Sequence, residues 1–289
     1  MTTASQWLQG ARPRTLPATL APVLVGTGAA AAAGAFRPGR ALLALVVALA
    51  LQVGVNYAND YSDGVRGTDD DRVGPLRLVG GGHAAPGRVL RAALLCFGIA
   101  AASGFVLSAL TSWWALLVGA VAIAAAWGYT GGAKPYGYRG FGEVSVFVFF
   151  GLVAVLGTTY VQAERLTLVS FAGGVACGAL ACAILVTNNL RDIPTDTASG
   201  KRTLAVLLGD RRSRVLYPSL VLAALLVPLL VAPAVPTALV ALLAAPLAVA
   251  PVNAVRDGVI GRDLVPVLAQ TGVLQLVYGV LLGVGLAFG

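Results

Sequence analysis

Asn56, Asp60 and Asp63 stand at positions i, i+4 and i+7 of one continuous string. On a helix that spacing turns three oxygen donors to one side. A second string, Asn188-Asn-Leu-Arg-Asp192-Ile-Pro-Thr-Asp196, repeats the Asn-x-x-x-Asp spacing, so Asn188 and Asp192 also share a face. Neighbouring carboxylates repel, and each is costly beside an apolar medium. A bound divalent cation removes both penalties. Mg²⁺ suits the set because it takes oxygen ligands and commonly uses one or two carboxylates plus substrate phosphates. Two such clusters facing each other would hold metal ions around one polyanion. Asp60, Asp63, Asp192 and Asp196 are then the catalytic carboxylates and, with Asn56 and Asn188, the metal ligands. Pro194 predicts that the second helix kinks or ends early, so that Asp196 reaches the site from a loop or a new first turn.

Cations that could meet phosphate oxygens lie close by in sequence: Arg66, Arg77, Lys201 and Arg202. An acidic run at 69–71, beginning with Asp69, follows the first cluster. Residues 129–143 form a third constellation, rich in glycine and tyrosine and including Tyr129, Lys134 and Arg139. It reads as a lid or a wall for an aromatic substrate, with the two cations holding an anion. An interfacial aromatic belt with snorkelling cations explains it equally well. His83 has no partner His or Cys for a metal site. Cys96, Cys177 and Cys182 lie in apolar runs without metal-ligand spacing and read as small buried hydrophobes. No nucleophile–base pair, GxSxG string or phosphate loop is present.

The elements that must position these clusters are set by composition. Of 289 residues, 58% are hydrophobic and 11% charged, against about 25% charged in soluble domains. Mean hydropathy is +0.85. The solvent is therefore the bilayer. Runs long enough to span it occur at 16–36, 41–59, 89–110, 113–131, 143–163, 166–189, 215–231, 236–255 and 266–288, which predicts an all-α polytopic protein of nine transmembrane helices. The eighth is the weakest, with Pro246 and Pro251 inside it. No cleavable leader is expected, because the first apolar run is too long for one.

Nine spans place 17 of the 20 Lys and Arg residues on the side of the N-terminus, leaving Arg37, Arg40 and Arg165 opposite. By the positive-inside rule the N-terminus and both acidic clusters face the cytoplasm across the cell membrane. This topology also accounts for the +8 net charge, so no nucleic-acid partner is implied. Of the 12 acidic residues only Glu164 lies opposite, and the polar chemistry belongs to the cytoplasmic face. The two Asn-x-x-x-Asp strings close the second and sixth runs, four helices apart. That predicts one membrane domain, 1–289, made of parallel pseudo-repeats at about 12–140 and 141–260 plus a final helix at 266–288.

At these residues the sequence resembles the UbiA superfamily of membrane prenyltransferases. The two Asp strings carry the superfamily likeness, while Tyr129-Thr-Gly-Gly and Asn188-Asn-Leu-Arg-Asp192 resemble its 1,4-dihydroxy-2-naphthoate branch, which serves menaquinone synthesis. The matching pieces in full are 12–18, 56–69, 74–79, 129–143 and 188–204. The resemblance implies nine helices around a central cavity. It implies Mg²⁺-dependent transfer of a polyprenyl group from polyprenyl diphosphate to the naphthoate, an aromatic acid, with loss of pyrophosphate and carbon dioxide. The family's first motif often reads NxxxDxxxD. Here Gly64 holds the last position, which leaves Asp63 and Asp69 as alternatives for the further ligand.

The rival readings are another acceptor on the same fold (4-hydroxybenzoate, haem, a chlorophyll precursor or a glycerol phosphate) and a secondary transporter. Against transport, the acidic residues sit at helix ends on one side, and Gln52, Gln270 and Gln275 are too scattered to mark a through-path. A structural scaffold gives no reason for paired Asp clusters.

Overall fold

The computed structural model describes residues 2–67, 76–132 and 135–289. Among them every regular element is helical. The helices are α1 (Ala4–Gly10), α2 (Pro17–Ala32), α3 (Pro38–Arg66), α4 (Pro86–Leu110), α5 (Trp114–Thr130), α6 (Gly142–Val146), α7 (Ala154–Ala163), α8 (Leu168–Ala198), α9 (Leu204–Val231), α10 (Pro246–Arg256) and α11 (Leu264–Ala287). A π-helical turn, Phe147–Val153, joins α6 to α7 in a single rod. The chain is a multi-pass membrane protein. Among the described residues six helices are long and apolar enough to cross a bilayer, or eight if two bent pairs each count as one span.

The expected count of nine is therefore not reproduced. The fourth expected span is the 17-residue α5, about 25 Å long at 1.5 Å per residue. The first, expected at 16–36, is the 16-residue α2, which the N-terminal segment Ala4–Thr15 meets at a bend of 52°. The eighth bends by 48° where the 3₁₀ segment Pro236–Ala244 meets α10. Pro246 sits in the first turn of α10, where its missing N–H costs nothing.

The two helices that carry the acidic strings both run past the C-terminal ends of their apolar runs. α3 continues to Arg66 and stops at Gly67, whose left-handed φ of 70° closes the last turn. α8 starts at a capping box between Thr167 and Ser170. It then passes through Pro194 to Ala198, so the expected end before Asp196 does not occur. The turns beyond the proline hold because their carbonyls are used: Thr195 Oγ1 donates to Asp192 O (3.0 Å), and Ser199 Oγ and Lys201 N donate to Asp196 O (3.2 and 2.8 Å).

One apolar core joins α2 to α8, α9, α10 and α11; a second joins α3, α4 and the 78–84 loop. Close helix contacts rest on glycine. Gly28 of α2 lies against the Gly283 backbone of α11, and Gly151 of the π turn lies against Gly174 and Gly178 of α8. Small residues let helices touch in lipid, where no hydrophobic drive separates good contacts from bad. A Cβ at Gly283 would stand 2.7 Å from Leu24 O, whereas one at Gly104 meets nothing within 4 Å. We expect Gly283→Val to destabilise the fold by about 2–3 kcal/mol through overpacking. Gly104→Ala should stay within about 0.5 kcal/mol of the parent. Thermal unfolding in detergent, the two compared side by side, checks this.

The three cations assigned to the far side are all held by helix C-termini. Arg165 Nη2 donates to Ala33 O at 2.7 Å, Arg37 Nε to Gln162 O at 3.1 Å, and Arg40 to Leu110 O and Val161 O at 2.6 and 3.0 Å. Helix C-termini carry partial negative charge, so these contacts are favourable. Arg40 also donates to Glu164 at 2.8 Å, a bond that holds the Glu164 carboxyl below the usual carboxylate range.

Candidate functional site

The end of α3 presents three buried polar side chains in different company. Asn56 Nδ2 donates to Ala11 O at 2.8 Å and Thr15 Oγ1 at 3.1 Å, and its Oδ1 accepts from Gln52 at 3.4 Å. These bonds tie the N-terminal segment to α3. Asp60 accepts the backbone N–H groups of Leu78 (2.8 Å) and Val79 (2.9 Å), one on each oxygen. Its carboxylate thus folds the 76–79 loop back over the helix end. Arg77 lies within that loop, and its Nη2 stands 3.7 Å from Asp63.

Asp63 also accepts the Tyr138 hydroxyl and lies 3.9 Å from Lys201 Nζ. Tyr138 belongs to the 3₁₀ turn Tyr136–Arg139 that opens the α5–α6 connection. Its ring carries Lys201 Nζ 4.6 Å from the centroid and the Arg66 guanidinium at 5.8 Å, and its carbonyl accepts Arg202 N at 2.9 Å. Such cation–π contacts hold a desolvated charge in place. Tyr138 therefore fastens the α8–α9 connection to the end of α3.

The end of α8 is organised by Arg191. Its buried guanidinium grips the adjacent Asp192 on both oxygens, at 2.6 and 2.7 Å, and reaches Asn188 Oδ1 at 2.9 Å. Asp196 lies one turn further, buried, with Thr203 Oγ1 at 3.5 Å. From this stretch Lys201 reaches Asp63, with Nζ 3.9 Å from its carboxylate. Among the described residues no three His, Cys, Asp or Glu side chains gather closely enough to form a metal cluster by themselves.

The other expected site residues divide. Arg66 donates to Thr130 O and Gly132 O and so closes the C-terminal end of α5. The ring of Tyr129 packs edge-on against Tyr136, 5.6 Å away, inside the α5–α6 connection. The Tyr136 hydroxyl bonds to Ala125 O (2.7 Å) and Ser145 (2.9 Å), and burial raises its pKa. Arg139 is exposed. Asp69 and Lys134 lie outside the described residues. His83 helps dock the N-terminus: Thr2 Oγ1 donates to its carbonyl at 2.6 Å, and Gln6 Nε2 lies 3.2 Å from its Nδ1. Cys177 and Cys182 are buried and free.

Four contributors escape the sequence reading. Arg191 was visible only as one charge in the second string. Tyr138 was one tyrosine among several. Glu143 and Asn189, bonded at 2.9 Å across α6 and α8, carried no signal linking them.

With this geometry in place, comparison with known proteins decides the family. The UbiA prenyltransferase family model matches residues 19–259. The chain belongs to the UbiA prenyltransferase family. It is 56% identical over 289 residues to a 1,4-dihydroxy-2-naphthoate octaprenyltransferase of Mycobacterium tuberculosis, covering 100% of this chain and 99% of that protein. Among solved structures, a UbiA homolog from Aeropyrum pernix superposes with a TM-score of 0.72 at 17% identity, covering 92% of this chain and 96% of its own. A UbiA homolog from Archaeoglobus fulgidus, bound to GPP and Mg²⁺, gives 0.70 at 15% identity, with coverage of 98% and 100%. At those identities the likeness establishes the shared UbiA fold.

Proposed function

We propose that this UbiA-family protein transfers a polyprenyl group from its diphosphate to 1,4-dihydroxy-2-naphthoate, releasing pyrophosphate and carbon dioxide, in a Mg²⁺-dependent reaction at the cytoplasmic face of the cell membrane. The observation that carries the reading is that Lys201, in the connection leaving α8, brings its Nζ to 3.9 Å from Asp63 of α3 while its backbone N–H bonds the Asp196 carbonyl at 2.8 Å. The naphthoate relative and the Mg²⁺-bound fold neighbour support the substrate and the metal.

The donor set fits Mg²⁺, being made of carboxylate and amide oxygens only: Asp63, Asp192, Asp196 and Asn188, with Asn56 and Asp60 behind them. When bound, Mg²⁺ neutralises charge on the diphosphate and eases its departure. Arg77 and Lys201 stand beside Asp63 and supply the positive field that receives the diphosphate oxygens. Asp60 sets Arg77 through the loop it grips. Tyr138 restrains Lys201 by its ring and Asp63 by its hydroxyl. The apolar walls of the bundle keep water from the allylic cation formed as the C–O bond breaks. We further read residues 12–140 and 141–260 as parallel repeats, since both site strings end long helices that open on one side.

Purified protein in lipid nanodiscs should be given Mg²⁺, a polyprenyl diphosphate and either 1,4-dihydroxy-2-naphthoate or 4-hydroxybenzoate. Mass spectrometry should find a prenylated, decarboxylated naphthol with the first acceptor, no product with the second, and none with the first when EDTA is present. Product from 4-hydroxybenzoate alone would overturn the acceptor assignment.

A further inference from the structure

We propose that the N-terminal segment is part of the diphosphate site, with Thr2, Gln6 and Gly10 as positioning residues that hold the loop carrying Arg77. This deepens the prenyl-transfer reading and rests on it. The loop, residues 76–84, contains the run Gly80, Gly81 and Gly82. Glycine loses more freedom on ordering than any other residue, so a loop of this composition needs outside holds. Its own backbone bonds close it on itself: Gly81 N donates to Arg77 O at 3.2 Å, Gly82 N to Val79 O at 2.9 Å and Ala84 N to Leu78 O at 2.8 Å. Asp60 grips it near the start, through the amides of Leu78 and Val79.

The N-terminal segment supplies a second grip. Thr2 Oγ1 donates to His83 O at 2.6 Å, and Gln6 Nε2 lies 3.2 Å from His83 Nδ1. Gly10 lies against the side chain of Leu78, which is 0% exposed. A Cβ at Gly10 would stand 2.6 Å from Leu78 Cδ1 and 3.3 Å from Tyr57 Cε1. The bare glycine is therefore the seat of Leu78, the residue next to Arg77.

The segment is itself fixed to α3. Tyr57 Oη donates to Trp7 O at 3.0 Å, with the two rings edge-on at 5.5 Å, and Asn56 Nδ2 donates to Ala11 O at 2.8 Å. On the other side of α1, Ser5, Leu8 and Gln9 are exposed. The buried face of α1 is thus the one turned to α3 and the loop. Successive turns of α3 serve a single assembly. Asn56 and Tyr57 seat the segment, Asp60 and the segment seat the loop, and the loop brings Arg77 Nη2 to 3.7 Å from Asp63. A firm hold matters because a guanidinium meets phosphate oxygens in a fixed fork, and a misplacement of about 1 Å can cost about 100-fold.

The test uses full-length protein in nanodiscs and three readouts: Mg²⁺-dependent Kd of the polyprenyl diphosphate alone, acceptor KM at saturating donor, and hydrogen exchange at 77–84. Gly10→Ala adds one methyl against Leu78. Alanine favours a helix more than glycine does, so weakened binding cannot come from α1 itself. G10A should raise diphosphate Kd about fivefold or more and speed exchange in the loop, with acceptor KM within about twofold of the parent. Adding Leu78→Val shortens the side chain that the new methyl meets and conserves total volume, so Kd should return to within about twofold of the parent. Arg77→Ala alone should weaken diphosphate binding about tenfold or more. In that background G10A should cost at most about twofold further, since the segment acts through Arg77.

A diphosphate Kd in G10A within about twofold of the parent overturns the proposal, and so does full additivity with R77A or no recovery on adding L78V. If G10A does not fold, Thr2→Val with His83→Leu, which cuts the exposed end of the hold, decides alone. It should raise Kd about threefold or more, and an unmoved Kd sinks the idea. A Kd unchanged in R77A overturns it too, through the role given to Arg77. A parent protein that binds the diphosphate yet makes no naphthoate product refutes the functional reading instead, and the binding results still decide the clamp.

Discussion

Asp192→Asn lowers kcat/KM for prenyl transfer by about 10³-fold and destabilises the protein at the same time. The two effects have one origin. Asp192 carries the charge that answers Arg191, at 2.6 and 2.7 Å, inside a buried pocket. Removing one member of a buried ion pair strands the other, at a cost of about 3–5 kcal/mol. Loss of one charged group that stabilises a transition state costs about 3–4 kcal/mol in the barrier, a factor of 10²–10³. The double variant Asp192→Asn, Arg191→Met separates them. It should recover most of the thermal stability, since the stranded cation is gone, but none of the turnover. Turnover near the parent level at saturating Mg²⁺ in D192N would remove the site from α8 altogether.

Asp60→Ala should be nearly as damaging, by another route. Its two oxygens hold the amides of Leu78 and Val79, and hydrogen bonds to a charged group contribute about 1.5–3 kcal/mol each. Their loss, roughly 3–6 kcal/mol in total, releases the loop that sets Arg77 against Asp63. Activity should fall about 10²-fold or more. Hydrogen exchange at Leu78 and Val79 should accelerate while exchange in α8 is unchanged. Fast exchange spread evenly through the protein would mean that the fold, not the loop, had failed.

What the sequence disclosed follows from periodicity and local chemistry. Each apolar run became a helix because length and composition decide that in a bilayer. Helix ends were harder to read. The expected run 166–189 ends at Asn189, yet α8 continues for nine further residues, its later turns held by bonds to the Asp192 and Asp196 carbonyls. The expected 215–231 span begins instead at Leu204. Its basic residues looked like a loop, but Arg214 pairs with Asp210 one turn away and reaches Val255 O at the end of α10. Only Gly209, with φ of 76°, interrupts the helix. At the site, spacing within one helix found Asn56, Asp60 and Asp63. It could not show that Asp60 grips a loop 18 residues later, that Tyr138 bridges two connections, or that Glu143 meets Asn189 across 46 residues. Those pairings arise from packing, and no string in the sequence records them.

The wide turn Phe147–Val153 also sets the phase of the rod that contains it. An α-helix advances about 100° per residue, and a π turn accommodates one residue more than the α-helical path would. The upper part of the rod therefore directs Glu143 to α8, while the lower part directs Val155 and Thr159 to α2. The wide turn takes up that residue over the same path, so deleting one residue from within it should close it into ordinary α-helix and leave both faces aimed as they are. A deletion elsewhere in the rod finds no such slack: it would rotate one half against the other by about 100° and swing Glu143 away from Asn189 while the far half kept its grip on α2. In this rod the π turn is the stretch where a peptide unit can be lost without changing the aim of the end that carries Glu143.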